Sequence, residues 1–197
     1  MNISTATDVR QHILDTAKPI ILGKGFSAVG LNQILQAAGV PKGSFYYYFG
    51  SKEAFGEALL EGYFADYLQH LDHLLVHQSG TGAQRLLSYW SHWQAMQEGD
   101  DPEHKCLAVK LGAEVCDLSE SMRAVLARGT TAIVVRLAAC IEDGLADGSL
   151  VGIADAHNTA ATLYQLWLGA TLLGKIRRDG QPFAAAMTAT CQLLNLA

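Results

Sequence analysis

Apolar residues recur every three or four positions along almost the whole chain, which is the repeat of a helix with one buried face. From Asp8 to Lys24 one stripe holds Val9, Ile13, Leu14, Ala17 and Ile21, and Gly23 and Gly25 close that helix. A short helix over about Leu31–Ala38 turns Leu31, Ile34 and Leu35 inward, with Gly30 at its cap and Gly39 as its stop. Pro41 suits the first position of a helix over about Pro41–Tyr48, because its missing N–H has no helical partner there. Ser51 is the capping candidate for a long amphipathic rod through Phe55, Leu59, Leu60, Phe64, Tyr67, Leu68, Leu71 and Leu75, ending near Gln78. Further helices are predicted at about 83–97, 103–116, 119–146, 155–178 and 182–195, divided by turn-rich pieces at Glu98–Pro102, Asp147–Ile153 and Asp179–Pro182. Apolar runs such as Thr131–Val135 lie inside longer 3.6-residue patterns, so no strand is predicted and the fold class is all-α.

Composition agrees with a packed globular chain: of 197 residues half are apolar, 17% are charged and 4 are proline. Cys106, Cys116, Cys140 and Cys191 are widely spaced and form no CxxC pair, and no basic patch followed by an apolar run opens the sequence. A cytoplasmic protein with reduced thiols is expected. The stretch between Asp155 and Lys175 lacks charge, but Asn158, Thr159, Thr162, Gln165 and Thr171 interrupt it, so a buried helix fits better than a membrane span. The net charge of -5 conceals an asymmetry. Residues 1–52 carry five Lys or Arg against two Asp, a net of +3, and the remainder carries -8.

Ala38-Gly39-Val40-Pro41 joins two short helices into a helix–turn–helix, with glycine where the chain turns sharply. In the second helix Phe45 and Phe49, four apart, share an inward face, while Lys42, Gly43, Ser44, Tyr46, Tyr47 and Tyr48 form an outer face without an acid. Lys42 adds to the positive helix end, Gly43 permits close backbone approach, and the hydroxyls can donate to phosphates or base edges. Lys52 lies just beyond, where a nucleic-acid backbone would pass. A tyrosine-rich helix is also compatible with a core or interface role, and spacing alone leaves both readings open.

The run from Gly25-Phe26 through Leu31-Asn32-Gln33-Ile34-Leu35-Gln36-Ala37-Ala38-Gly39-Val40-Pro41-Lys42-Gly43-Ser44-Phe45-Tyr46-Tyr47-Tyr48-Phe49, followed by Ser51-Lys52-Glu53, resembles the DNA-binding domain of the TetR family of repressors. The resemblance implies a helical homodimer whose N-terminal helices read double-stranded operator DNA while the rest binds an inducer. It makes Lys42, Ser44, Tyr46, Tyr47 and Tyr48 contacts of the recognition helix, with Gln33 and Lys52 reaching phosphate or groove. The implied division is a DNA-binding domain over 7–67, with its helix–turn–helix core at 30–49, and an effector-sensing and dimerisation domain over 68–197. Two departures stand out: Gly30 replaces the usual capping Thr or Ser, and Tyr48 replaces a common His.

Cys106 sits close to a predicted helix start, beside Lys105 and one turn from Lys110. A helix N-terminus and nearby cations lower a thiol's pKa and favour the reactive thiolate; a lone cysteine in a helical bundle is as readily a small core residue. Cys106-Leu107, Val109-Lys110-Leu111, Ala113 to Glu120, Leu166 to Ala170 and Lys175-Ile176 resemble the NemR branch of the TetR family. That resemblance implies a response to electrophiles or oxidants through Cys106, with Lys175 its partner; repressors of acrylate-like molecules share much of the pattern. A Cys106–Cys116 disulfide within one subunit is not expected, because ten helical residues span roughly 15 Å.

Rival readings are a repressor with a non-covalent, acrylate-like or lipophilic inducer and, in another class, a helical enzyme using Cys106 as nucleophile. No His or acid is spaced as an obvious base for the latter, and no cofactor or catalytic motif is found. Trp90, Trp93, Tyr164 and Trp167 are read equally as core or as pocket lining. His70, His73 and His77 lie near one helical face, and a solvated face is preferred there to a metal site. Leu163, Leu166, Trp167, Ala170, Leu173, Leu193 and Leu194 are expected to make a dimer interface, with Gly169 and Ala170 allowing close approach. A two-fold dimer implies a palindromic operator.

Overall fold

The structure is a computed structural model and describes residues 6–99 and 106–196. Within them every regular element is helical: α1 (Ala6–Lys24), α2 (Leu31–Ala38), α3 (Lys42–Phe49), α4 (Lys52–Asp72), α5 (Gly82–Glu98), α6 (Leu107–Leu118), α7 (Glu120–Ala146), α8 (Ala156–Arg177) and α9 (Gln181–Leu193). The all-α expectation is met. Predicted boundaries hold within a few residues, except that the rod from Lys52 leaves α-geometry at Asp72 and finishes as a π-helical turn, His73–His77. Residues 103–105, at the start of the predicted sixth helix and including Lys105, lie outside the described residues.

The chain divides into two compact units, Met1–Phe64 with Asp101–Ala127, and Ala65–Asp100 with Arg128–Ala197. The first therefore combines the N-terminal helices with α6, drawn from the middle of the sequence. Its core is Ile13, Ala17, Ile21, Phe26, Ile34, Phe45, Phe55, Leu107, Leu111 and Val115, all nearly or fully buried. Gly56 permits a close approach here, since a Cβ on it would fall 2.7 Å from the Phe26 ring and 2.5 Å from the Met122 sulfur.

The second unit is built on aromatic rings. Trp90 and Trp167 stack at 4.9 Å and 12°. The Trp93 and Trp167 indole N–H groups donate to Thr171 and Thr190, each at 2.9 Å, so these buried threonines satisfy buried donors. Gly82 of α5 crosses Gly144 of α7 so closely that a Cβ on Gly82 would meet the Gly144 backbone at 2.4 Å. The loop after α7 caps α5: Asp147 accepts the Gly82 N–H at 2.7 Å and Ser149 that of Ala83 at 3.1 Å. The π-turn is held between two arginines. Arg136 chelates Asp72 at 2.5 and 3.1 Å, while Arg85 donates to the Leu75 carbonyl and, at 3.0 Å, to Asp143.

The 155–175 segment is the largely buried helix expected, and one expectation, the dimer face, is corrected. Leu163, Trp167, Ala170 and Leu194 are buried within their own unit because α8 packs on α9, so they are unavailable to a second subunit. The large apolar residues of α8 and α9 that are exposed are Leu172, Leu173, Ile176 and Leu193. Among the described residues, the helix long and apolar enough to cross a bilayer is α7, not the 155–175 segment, and Ile133, Leu137 and Ile141 of α7 are buried in the protein.

Candidate nucleic-acid interface

The first unit shows how a short aromatic helix can be held rigid with its polar side outward. Phe45, Phe49 and Phe55 form a triangle with ring centroids 5.1–5.3 Å apart, anchoring α3 to the start of α4. Gly39 ends α2 with φ +64°, a conformation glycine adopts without strain, and the Val40 N–H reaches back to the Leu35 carbonyl at 3.1 Å. Gly30 caps α2 with backbone alone, as its lack of a side chain requires. Ser51 caps α4 through the Ala54 N–H at 3.0 Å. Pro41 is the residue before the helix and Lys42 its first member.

On the outer face Lys42, Gly43, Tyr46 and Tyr47 are exposed, Tyr47 by 79%, and Ser44, Tyr48 and Gln33 are half-buried. The Lys42 ammonium lies 5.8 Å from the Tyr46 ring centre, and Tyr47 meets Tyr48 edge-to-face at 5.0 Å. Lys52 is differently engaged: its Nζ donates to the Phe26 carbonyl at 2.9 Å and sits 4.7 Å from the Phe26 ring. One of its three N–H groups is thereby committed to the α1–α2 loop.

That loop is also gripped by α6. Glu114 accepts the N–H of Phe26 at 3.1 Å and that of Ser27 at 2.5 Å, and Lys110 donates to the Gly23 carbonyl at 3.2 Å. Burial alone would raise the Glu114 pKa, but the bonds from Ser27 and Phe26 and the charge of Lys52 outweigh it and hold the carboxyl below its ordinary value. Gly25, at φ +94°, lets the backbone pass this carboxylate. His12 adds a tie from α1, its Nε2 lying 3.0 Å from the Ala38 carbonyl oxygen. Neither His12 nor Glu114 carries a local sequence signal, since each partner is distant along the chain.

Cys106 is the residue that precedes α6, where the sequence placed it, but it is buried, 7% exposed. Burial pushes its thiol up. The Val109 and Ala108 N–H groups and the Tyr63 hydroxyl pull the other way without prevailing, and no side-chain cap bond forms. The expected lowering by the helix end is thus reversed. Tyr63 accepts the Leu107 N–H at 3.4 Å, which sets its hydroxyl beside the cysteine. Lys175 is exposed on α8 and belongs to the second unit, whereas Cys106 belongs to the first. Cys140 is buried, its thiol facing the Gly82 carbonyl and its pKa pushed up to about 11 mainly by burial; Cys116 and Cys191 are half-buried, and none of the four cysteines is in a disulfide.

In the second unit Trp93 and Trp167 are core side chains, with their N–H groups satisfied as described. Tyr164 is buried too, and lines a cavity of about 370 Å³ between α7 and α8 with Thr130, Thr131, Val134, His157 and Gln165. His73 and His77 are exposed, as expected of a solvated face, and His70 meets His92 of α5.

A rigid two-helix turn presenting lysine and tyrosines from an all-helical scaffold defines a helix–turn–helix DNA-binding regulator. Residues 13–59 match the model of bacterial regulatory proteins of the tetR family, and residues 82–190 match the tetracyclin repressor-like C-terminal domain. The chain is 42% identical to the HTH-type transcriptional repressor NemR of Escherichia coli over 95% of its own length and 94% of the relative's. It is 32% identical to the repressor DhaR of a Mycobacterium species, covering 95% and 93%. The crystal structure of E. coli NemR in its reduced form superimposes with a TM-score of 0.88 at 40% identity, over 93% of this chain and 95% of that one. The chain belongs to the TetR family, and it is a DNA-binding transcriptional repressor, not an enzyme.

Proposed function

We propose that the protein represses transcription as a homodimer on a palindromic operator and is released when an electrophile or oxidant modifies Cys106. Residues 7–67 are assigned to DNA and 68–197 to effector response and dimerisation. Lys42, Gly43, Ser44, Tyr46, Tyr47 and Tyr48 enter the groove, and Gln33 and Lys52 meet the backbone. Leu172, Leu173, Ile176 and Leu193 supply the apolar face for the second subunit, and their exposure supports this.

The observation that carries the reading is the placement of Cys106 at the start of α6, whose Lys110 and Glu114 hold the loop that precedes the helix–turn–helix. A change of size or charge at a buried first residue must move that helix. Moving a two-state repressor from 1:99 to 99:1 requires about 5.5 kcal/mol of differential binding, which a small molecule with few contacts does not readily supply and a covalent bond does. Adding the sulfur to an electron-poor double bond forms a C–S bond. The π pair shifts to the neighbouring carbon, which takes up a proton in place of the one lost by the thiol. Hypochlorous acid instead oxidises the sulfur by two electrons to sulfenic acid as its chlorine becomes chloride.

The test is binding of the DNA beside the protein's own coding region, by fluorescence anisotropy, with and without N-ethylmaleimide or hypochlorite. Wild type should bind and be released, and Cys106→Ser should bind and stay. Release of Cys106→Ser by the same reagents overturns the thiol mechanism and leaves the repressor intact. Its release by an unreactive small molecule would select a non-covalent inducer, for which the cavity beside Tyr164 provides the space.

A further inference from the structure

We propose that His70 and His92 form an exchangeable binding site for a first-row divalent metal ion, zinc, nickel or copper, bridging α4 and α5. Their Nε2 atoms lie 3.3 Å apart, with ring centroids 5.2 Å apart and the planes tilted by 45°. The separation is within reach of an N–H···N hydrogen bond in the metal-free protein. It equals the edge of a coordination tetrahedron, because metal–nitrogen bonds of about 2.0–2.1 Å set two ligand nitrogens about 3.3–3.4 Å from each other. Both rings present the same nitrogen. A hydrogen bond would need one to donate and the other to accept, whereas a cation takes a lone pair from each.

The scaffold at this point is fixed. One turn before His70, the Tyr67 hydroxyl meets that of Tyr89 at 2.8 Å, and Tyr67 stands edge-on to Trp93, the neighbour of His92, at 6.5 Å. Such preset donors lose little freedom on binding an ion. His70 is exposed and His92 half-buried, so water can complete the coordination sphere. Among the described residues no group of three or more His, Cys, Asp or Glu surrounds a common point, so the site offers two protein ligands. Imidazole pairs with open positions suit zinc, nickel and copper, and bind them more weakly than closed four-ligand sites do. The ion would tie α4 to α5 just ahead of the π-turn, independently of Cys106.

The test uses the full-length protein, stripped with chelator and dialysed, titrated with nickel(II) and zinc(II) by calorimetry with the thiols reduced. One equivalent per chain is expected, with affinity reduced at least tenfold in His70→Asn and in His92→Asn and unchanged in His77→Asn. Melting temperature should rise with metal in wild type and not in the two site variants. As His70 and His92 are not core side chains, circular dichroism should show all variants folded. Absence of uptake by wild type at 100-fold excess metal, or unaltered uptake by the His70→Asn/His92→Asn double variant, overturns the proposal. Neither readout involves operator DNA, so the repressor reading stands or falls separately.

Discussion

Glu114 and Phe26 are 88 residues apart in sequence, yet the Glu114 carboxylate accepts the Phe26 backbone N–H at 3.1 Å and thereby fixes the loop that introduces the DNA-reading helices. Glu114→Gln keeps the size of the side chain and removes the charge that makes these bonds strong. It should lower stability by about 1 kcal/mol, less than the roughly 1.5–3 kcal/mol of a buried bond to a charged group because the site is partly solvated. The carboxyl's pKa is lower in the folded state, so its contribution is fully present above the ordinary carboxylate value. It is lost as pH falls through the lowered one. Urea unfolding from pH 7 to pH 3 should show this acid limb in wild type and a flatter one in Glu114→Gln.

Operator recognition can be separated from folding at Lys42 and Tyr47, both exposed. Lys42→Ala should reduce the slope of log affinity against log salt by about 1, without moving the melting temperature. Tyr47→Ala should weaken specific binding about tenfold. Phe45→Ala, by contrast, empties a fully buried ring position and should cost about 3–5 kcal/mol of stability. Salt-dependent anisotropy and calorimetric melting distinguish the three.

Because burial holds Cys106 protonated, its alkylation in a variant retaining only that cysteine should still accelerate with pH above the ordinary thiol value of about 8.5. Tyr63→Phe removes a hydroxyl that favours the anion and should slow the reaction at every pH below the plateau. Stopped-flow rates with a maleimide measure both, and a plateau reached below about pH 8 would contradict the assignment.

At the Gly82–Gly144 crossing there is no room for a methyl group, and the obstructing atoms are backbone. Gly82→Ala should destabilise by about 1–3 kcal/mol through overpacking, lowering the melting temperature by about 2–4 °C per kcal/mol for a chain of this size.

Much of this was legible in sequence because it is local. Phe45 and Phe49 are four residues apart and share a helix face; Gly39 and Ser51 stand where a stop and a cap are needed, and both act so. The π-turn was hidden, since Leu68, Leu71 and Leu75 continue a helical spacing through it and the residues that hold it, Arg85 and Arg136, come from elsewhere. Periodicity marks the apolar positions of α8 without saying what covers them, so it does not separate Leu163, Trp167 and Ala170, which are buried, from Leu173, which is exposed. At Cys106 helix end and burial act in opposite directions, and only the fold reveals that burial prevails. His70 is exposed, as its helix face predicts, and its pairing with His92 is invisible to periodicity because His92 lies on another helix.

The return of the 101–127 stretch to the N-terminal helices has an economical result. The thiol proposed as trigger and the helix proposed to read the groove fold together as one body, so a chemical insult would be registered within the unit assigned to the promoter. Where the insult is oxidation to the sulfenic acid, reducing that sulfur again would restore silence at the gene without any new protein being made.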